Sequence, residues 1–421
     1  MNEVMVVPLM NEGRKKREWT GEKREWTGKK AGILSALQIS IAPKKTSSPN
    51  NAFSTLWMEE EFRLLQQWSI PPEVLYEGVG WEMLTEMDKD TLFIYTNRVN
   101  LGLQQIAKML MSSELLHYPN AKNILAQLSE WVDIGTGNGI VTNNVATRIY
   151  NAVVRAKMEY GFPLLLEKML SCSSGEEYEE AVRTFDNNRI KLTSCDLSHT
   201  SLEKAKNLES ADPELGELFD LEYVPEKFQQ VLEKSEGKEN HRLITMFNFL
   251  ANFEEADLKA ILWEVYQAMT KKDMFIPSFF QCEKGFDVVE HGTRTSFGRG
   301  SLELYNNVET KHWITESFYE RYHPNRASKF SVQWRKGEKG QPYIEVALLF
   351  PEEVEFGTDT AIISGKDLPK AENGMVKLTA FKSYRMSKEY LTKLLEKIWF
   401  GIDGRLETDN RLQVAPVLYK K

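Results

Sequence analysis

The stretch Trp131-Val132-Asp133-Ile134-Gly135-Thr136-Gly137-Asn138-Gly139-Ile140 constrains the fold of this chain more than any other. Trp131, Val132 and Ile134 favour a buried strand. Gly135, Gly137 and Gly139 then remove side chains where the backbone must turn sharply and a ligand must come close. Asn143 to Ile149 reads as the helix that follows, and its first amides would face whatever lies over the glycines. Alone, the stretch fits a ligand loop or an ordinary strand-to-helix turn equally well. The segments downstream separate the two.

A strand–helix alternation starts at the glycines. Phe162 to Phe185 contains further helix, Glu176 to Arg183 among it. Arg189 to Cys195 reads as a second strand, ending at Asp196. Leu202 to Leu208 is the next helix, and Leu221 to Val224 a short third strand. His241 to Asn248 is a fourth strand, apolar at Leu243, Ile244, Met246 and Phe247. Glu254 to Met269 is amphipathic helix with Leu258, Ile261, Leu262 and Val265 inward. Met274 to Phe279 is a fifth strand. Such an order predicts an α/β fold, a Rossmann-like doubly wound sheet of mostly parallel strands.

Around this core the chain divides into further regions. Residues 1–51 read as a basic, disordered extension. They contain a seven-residue near repeat, Arg17-Glu18-Trp19-Thr20-Gly21-Glu22-Lys23 and Arg24-Glu25-Trp26-Thr27-Gly28-Lys29-Lys30, too short for a solenoid. Residues 52–128 form an N-terminal helical region with an aromatic face that includes Phe53, Trp57, Phe62 and Trp68. The cofactor-binding core spans 129–281. Residues 282–386 form an α+β insertion that covers the substrate. Its aromatic and glycine-rich loops lead into strands at Phe330 to Trp334, Tyr343 to Phe350 and Val376 to Tyr384. Residues 387–421 return to the core sheet, through a helix from Ser387 to Ile398 and strands near Arg405 to Glu407 and Val414 to Tyr419.

Charge and cysteines limit the function classes. The chain carries a net charge of −8, but residues 1–55 hold ten Lys/Arg against five acids, so the body is at −13. That argues against a nucleic-acid partner, which rewards clustered Lys/Arg. Cys172, Cys195 and Cys282 are widely spaced and odd in number, so they read as reduced thiols of a cytoplasmic protein rather than a disulfide framework. Neither they nor the six histidines show metal-ligand spacing, and no metal is expected. No apolar run approaches the roughly 20 residues a membrane span needs.

Four features fall at the C-terminal ends of successive expected strands, where open α/β sheets bind ligands. They are the glycine stretch, Asp196, the segment from Tyr223 to Phe228, and the run from Asn248 to Phe253. Asp196 could accept ribose hydroxyls or cap the helix beginning near Ser198. Together the four point to a nucleoside site. The glycines are spaced G-x-G-x-G rather than the G-x-G-x-x-G of dinucleotide folds, and Asp133 precedes them.

This acid-x-G-x-G-x-G form resembles the first motif of class I S-adenosylmethionine-dependent methyltransferases. The resemblance implies S-adenosyl-L-methionine as cofactor. It implies that Asp133, Gly135, Thr136, Gly137 and Gly139 lie at its methionine end and that Asp196, with Leu197 and Asn248, holds the nucleoside. More distantly, Asp196-Leu197-Ser198, Ala251-Asn252-Phe253 and Ser383-Tyr384-Arg385-Met386-Ser387 resemble segments of the histidine-specific N-alpha-methyltransferases of the ergothioneine type. That implies substrate contacts at Asn252 and Ser383. The family's acidic substrate contact falls at Phe381, so the likeness does not carry histidine specificity.

The expected activity is therefore methylation of a small-molecule acceptor, an amine or amino-acid-like compound, by direct transfer. Asn252 and Tyr319 are the candidate catalytic residues. Tyr305, Trp313, Phe318, Tyr322 and His323 would roof the substrate, and Glu290, His291 and Glu316 are possible bases. Two alternatives stand beside it: a methyltransferase docking RNA or protein through the basic extension, and an inactive scaffold of the same fold. The sequence leaves the oligomeric state open.

Overall fold

The structure is a computed structural model. It describes residues 63–67, 69–70, 74–75, 113–137, 139–179, 189–196, 199–210, 212–234, 241–247, 250–337, 340–357, 362–368, 370–371, 373–407 and 413–421. The expected N-terminal extension, most of the N-terminal helical region, half of the helix at Glu176 to Arg183, Leu197 and Asn248 lie outside the described residues.

One mixed sheet organises the chain. Its parallel strands are β1 (Leu128–Ile134), β2 (Ile190–Cys195), β3 (Phe219–Val224), β4 (His241–Met246) and β5 (Asp273–Pro277). The late strands β12 (Phe400–Glu407) and β13 (Gln413–Lys420) join as an antiparallel pair. The order is β12-β13-β5-β4-β1-β2-β3, with the short β6 (Phe279–Phe280) on β13. The order reverses between β1 and β4. A crevice opens at such a point because the connections leave to opposite faces of the sheet. This is the doubly wound Rossmann-like sheet expected from the alternation.

Strand alternation feeds two cores. Trp131, Leu243, Met274 and Ile276 pack on one face, with α1 (Pro119–Leu125) and α2 (Ile140–Ala156). Val132, Ile134, Ile244, Met246 and Phe275 pack on the other. There they meet α6 (Phe228–Lys234), α7 (Glu255–Ala268) and α11 (Lys388–Lys397). Two further helices, α4 (His199–Ser210) and α5 (Pro213–Leu218), link β2 to β3, while α2 runs through a π turn at Lys157–Gly161 into α3 (Phe162–Ser171). Sequence neighbours thus serve opposite layers, as a period of two requires. The N-terminus of α1 lacks a cap of its own. Asp403, on β12, accepts from the amides of Asn120 and Ala121 at 2.9 Å each and ties helix to edge strand.

Between β6 and α11 lies a second antiparallel sheet, β11-β8-β7, built from β7 (Lys329–Lys336), β8 (Pro342–Phe350) and β11 (Val376–Tyr384). A small pair, β9 (Glu355–Gly357) with β10 (Ile362–Ser364), sits beside it in sequence. The aromatic loops expected before β7 are instead three helices: α8 (Val288–His291), α9 (Ser296–Glu303) and α10 (Val308–Tyr322). Thr310, Trp313, Ile314, Ser317, Phe318 and Tyr322 form the buried face of α10. Leu65, Ile70, Val74 and Leu75 complete this third core. Trp313 donates its indole N–H to the Leu75 carbonyl at 2.6 Å, and the Ile70 amide donates to Thr379 at 2.8 Å. No helix among the described residues is long and apolar enough to cross a membrane.

Candidate functional site

The glycine loop leaves β1 at the reversal of strand order. Gly135, Gly137 and Gly139 have φ of 72°, 59° and 77°. L-residues with side chains resist that region, so the loop needs glycine at these positions. The Gly135 amide donates to the Cys195 carbonyl at 2.8 Å, and the Gly137 amide donates to the Asp196 carboxylate at 2.9 Å. The loop is therefore drawn against the end of β2. Gly139 precedes the first turn of α2, whose free amides point toward the loop. A Cβ built on Gly137 meets nothing within 4 Å, so open space lies on that side of the backbone.

Asp133 is buried beneath the loop. The register sets it opposite Ser194 on β2 and Thr245 on β4, and it is 2% exposed. Its carboxylate accepts from the hydroxyls of Thr142 and Thr245 at 2.5 Å each, and of Thr136 at 3.2 Å. Trp131 donates to Thr245 Oγ1 at 2.8 Å. The network joins β1, β4, the loop and α2, so Asp133 holds the loop from beneath. Thr142 and Thr245 escaped the sequence reading. The signal was a lone hydroxyl in the apolar run Leu243-Ile244-Thr245-Met246, since a buried polar group needs a partner.

Burial pushes the Asp133 carboxyl up to about 6, against the threonine hydrogen bonds that lower it. The native state then binds more protons than the unfolded chain between about pH 4 and pH 6. Stability is lost as pH rises through that window, and the loss is complete above it. Between pH 4.5 and 7.5 the native chain is expected to lose about 2 kcal/mol more stability than Asp133→Asn. Urea midpoints of the two proteins at both pH values measure this, and parallel behaviour would refute it. The neighbouring Cys195 thiol is pushed up to about 12 by burial, which removes it as a nucleophile at neutral pH.

Asp196 is half-buried at the loop's rim, with one carboxylate oxygen on Gly137. Asn252 is exposed, in the turn Leu250–Asn252 after β4, and that turn packs against both β6 and β11. Glu254 fastens the same segment to β11: its carboxylate accepts from Tyr384 at 2.7 Å and from Lys382 at 3.3 Å. The Tyr384 hydroxyl bond holds Glu254 below the usual carboxylate range. Asn252 and Ser383 thus sit on adjoining elements. Ser383 is buried, 2.9 Å from the Tyr305 hydroxyl and 2.7 Å from Arg385 Nη1. Phe381 packs its ring on Tyr305 and Trp313 at 5.3 and 6.0 Å between centroids.

The candidate residues on α10 and the helices before it divide. Phe318 and Tyr322 are fully buried packing residues. Tyr319 is half-buried, and its hydroxyl accepts from the Ser328 amide at 2.7 Å. His323 closes α10 with φ 40°. His291 Nδ1 accepts from the Asp287 amide at 2.9 Å, and Glu316 faces His312 across one helical turn at 3.7 Å. Tyr305 is the one that reaches Ser383.

Comparison with known proteins adds likenesses of overall chain course. No family model matches the sequence, and no curated protein matches it. Among solved structures, the chain is similar to an S-adenosylmethionine-dependent methyltransferase from Clostridium acetobutylicum at 9% identity and a TM-score of 0.39, over 79% of this chain and 98% of that one. It is similar to mitomycin 7-O-methyltransferase at 10% identity and a TM-score of 0.37, over 86% and 67%. A methyltransferase from Methanosarcina mazei follows at 13% identity and a TM-score of 0.31, over 72% and 97%.

Proposed function

We propose that this protein is an S-adenosylmethionine-dependent methyltransferase that methylates an amine or amino-acid-like small molecule. The observation that carries the reading is the glycine loop at the strand-order reversal, with Gly137 hydrogen-bonded to Asp196 across it. Residues and group fit one another. Three glycines hold the loop at positive φ, the open side of Gly137 is space that a side chain would fill, and a carboxylate suited to a ribose diol stands at its rim.

In this reading Gly135, Thr136, Gly137 and Gly139 hold the methionine end, and Asp196, with Leu197 and Asn248, holds the nucleoside. Asp133 acts through the loop it supports. The bound sulfonium supplies an activated methyl group, so the chain needs neither a covalent nucleophile nor a redox group. What remains for the protein is alignment of the acceptor and exclusion of water. Asn252 orients the acceptor from the turn after β4, and Ser383 from β11. Tyr319, whose hydroxyl oxygen accepts from the Ser328 amide and keeps its own proton, is with Asn252 the second candidate catalytic residue.

Isothermal calorimetry with S-adenosylhomocysteine tests the reading. Binding is expected, weakened about 10- to 100-fold in Asp196→Ala, the worth of hydrogen bonds to one charged group. Absence of binding to both S-adenosylmethionine and S-adenosylhomocysteine would end it.

A further inference from the structure

Arg385 lies in the seam between the two sheets. Its amide donates to the Pro342 carbonyl at 2.9 Å. On the other side, the Met386 amide donates to Phe280 at 3.1 Å and the Cys282 amide to Met386 at 3.0 Å. These bonds fix the backbone on both sides of the side chain. Arg385 is 1% exposed, and its guanidinium lies 4.3 Å from the Phe280 ring centroid and 5.9 Å from that of Tyr305. Nη1 is spent on Ser383 Oγ at 2.7 Å and on the carbonyls of Ser383 and Tyr384 at 3.1 and 3.3 Å. Nη2 is buried and has no partner. Among the described residues no carboxylate is paired with the group.

That arrangement is costly for a protein on its own. An arginine keeps its charge in any interior, and a buried charge without a counter-ion is strongly unfavourable. The chain has the means to neutralise such a charge, because it does so elsewhere. Arg242, equally buried, is matched by Asp273 through two hydrogen bonds, at 2.9 and 2.6 Å. At Arg385 the polar partners are neutral and the flanking groups are aromatic rings. The neighbours that touch it, Ser383 and Tyr305, belong to the side of the structure that adjoins the Asn252 turn.

We propose that Arg385 is the anion subsite of the acceptor pocket and that the acceptor carries a carboxylate. This rests on the methyltransferase reading for the word acceptor, and on Arg385 itself for the anion. A single guanidinium balances one negative charge. Lys382 and Lys388, the nearest cations in sequence, are engaged with Glu254 and Glu407. A carboxylate therefore suits the place better than a phosphate dianion, which would call for a second cation. A guanidinium nitrogen bonds a carboxylate oxygen in plane, and the rings of Phe280 and Tyr305 exclude the water that would weaken that bond.

Benzoate is the probe, with benzamide as its neutral counterpart. Each is titrated calorimetrically into the full-length protein, with saturating S-adenosylhomocysteine and again without it. Benzoate is expected to bind about 10- to 100-fold more tightly than benzamide, the difference a hydrogen bond to a charged group makes. Arg385→Gln is expected to abolish that preference and to leave S-adenosylhomocysteine affinity unchanged. Arg385→Lys keeps the charge and loses the fork, so part of the preference should survive in it. It also serves as the second variant if the glutamine protein does not fold. Equal binding of the two probes, no binding of benzoate, or a full preference in Arg385→Gln would overturn the proposal. Benzoate preference in a protein that fails to bind S-adenosylhomocysteine would leave the anion subsite standing and sink only the methyl-donor reading.

Discussion

Gly137→Leu is expected to weaken S-adenosylhomocysteine binding by at least ~100-fold, about 2.7 kcal/mol, in a protein that still folds. The two halves of this expectation come from different observations. A Cβ at position 137 meets no atom within 4 Å, so leucine does not collide with the protein. The backbone at φ 59° costs a leucine about 1–2 kcal/mol, a loss that a domain stable by about 5–15 kcal/mol survives. The amide that bonds Asp196 is retained. What leucine does fill is the open side of the loop, where the account puts the ligand. Urea denaturation and calorimetry on the same preparation measure both quantities. Undiminished binding in the folded variant would mean that the loop faces no cofactor.

The second large effect falls at the opposite edge of the sheet. Arg242 on β4 and Asp273 at the start of β5 are 1% and 0% exposed and form a bidentate pair. Arg242 also donates to the carbonyls of Leu232 and Ala268, at 3.0 and 3.1 Å, so it closes α6 and α7 onto the sheet. Asp273→Ala strands a buried cation and is expected to cost about 3–5 kcal/mol. Arg242→Met combined with Asp273→Leu should recover most of that, because removing both charges removes the desolvation penalty as well. Urea midpoints decide this. Affinity for S-adenosylhomocysteine, measured on the folded protein, should be the same in all three, since the pair lies at the strand ends away from the loop. A double variant no more stable than the single one would refute the reading of the pair.

Much of the fold was legible because it depends on local pattern. The five parallel strands were visible as short apolar runs, and each ended at a residue that turned out to stand on one edge of the sheet. α10 forms where the aromatic and glycine-rich sequence suggests loop, and its buried residues recur at helical spacing from Thr310 to Phe318 with Asn307 capping it through its side chain. Aromatic density and nearby glycines outweighed that period. The site was legible only in part, for a physical reason. Gly135, Gly137 and Gly139 announce themselves by backbone need. The partners of Asp133 are set by lateral register, which brings together residues 112 apart in the case of Thr245. Arg385 was equally hidden. It lies within Ser383 to Ser387, but only burial without a counter-ion distinguishes it from a surface arginine.

The most direct measurement is a crystal structure of the full-length protein with S-adenosylhomocysteine. The ligand is expected over Gly135 to Gly139, with its ribose hydroxyls on the Asp196 carboxylate and its sulfur facing the side of Asn252 and Ser383. A ligand seated anywhere else, or a loop left empty at saturating ligand, would contradict it.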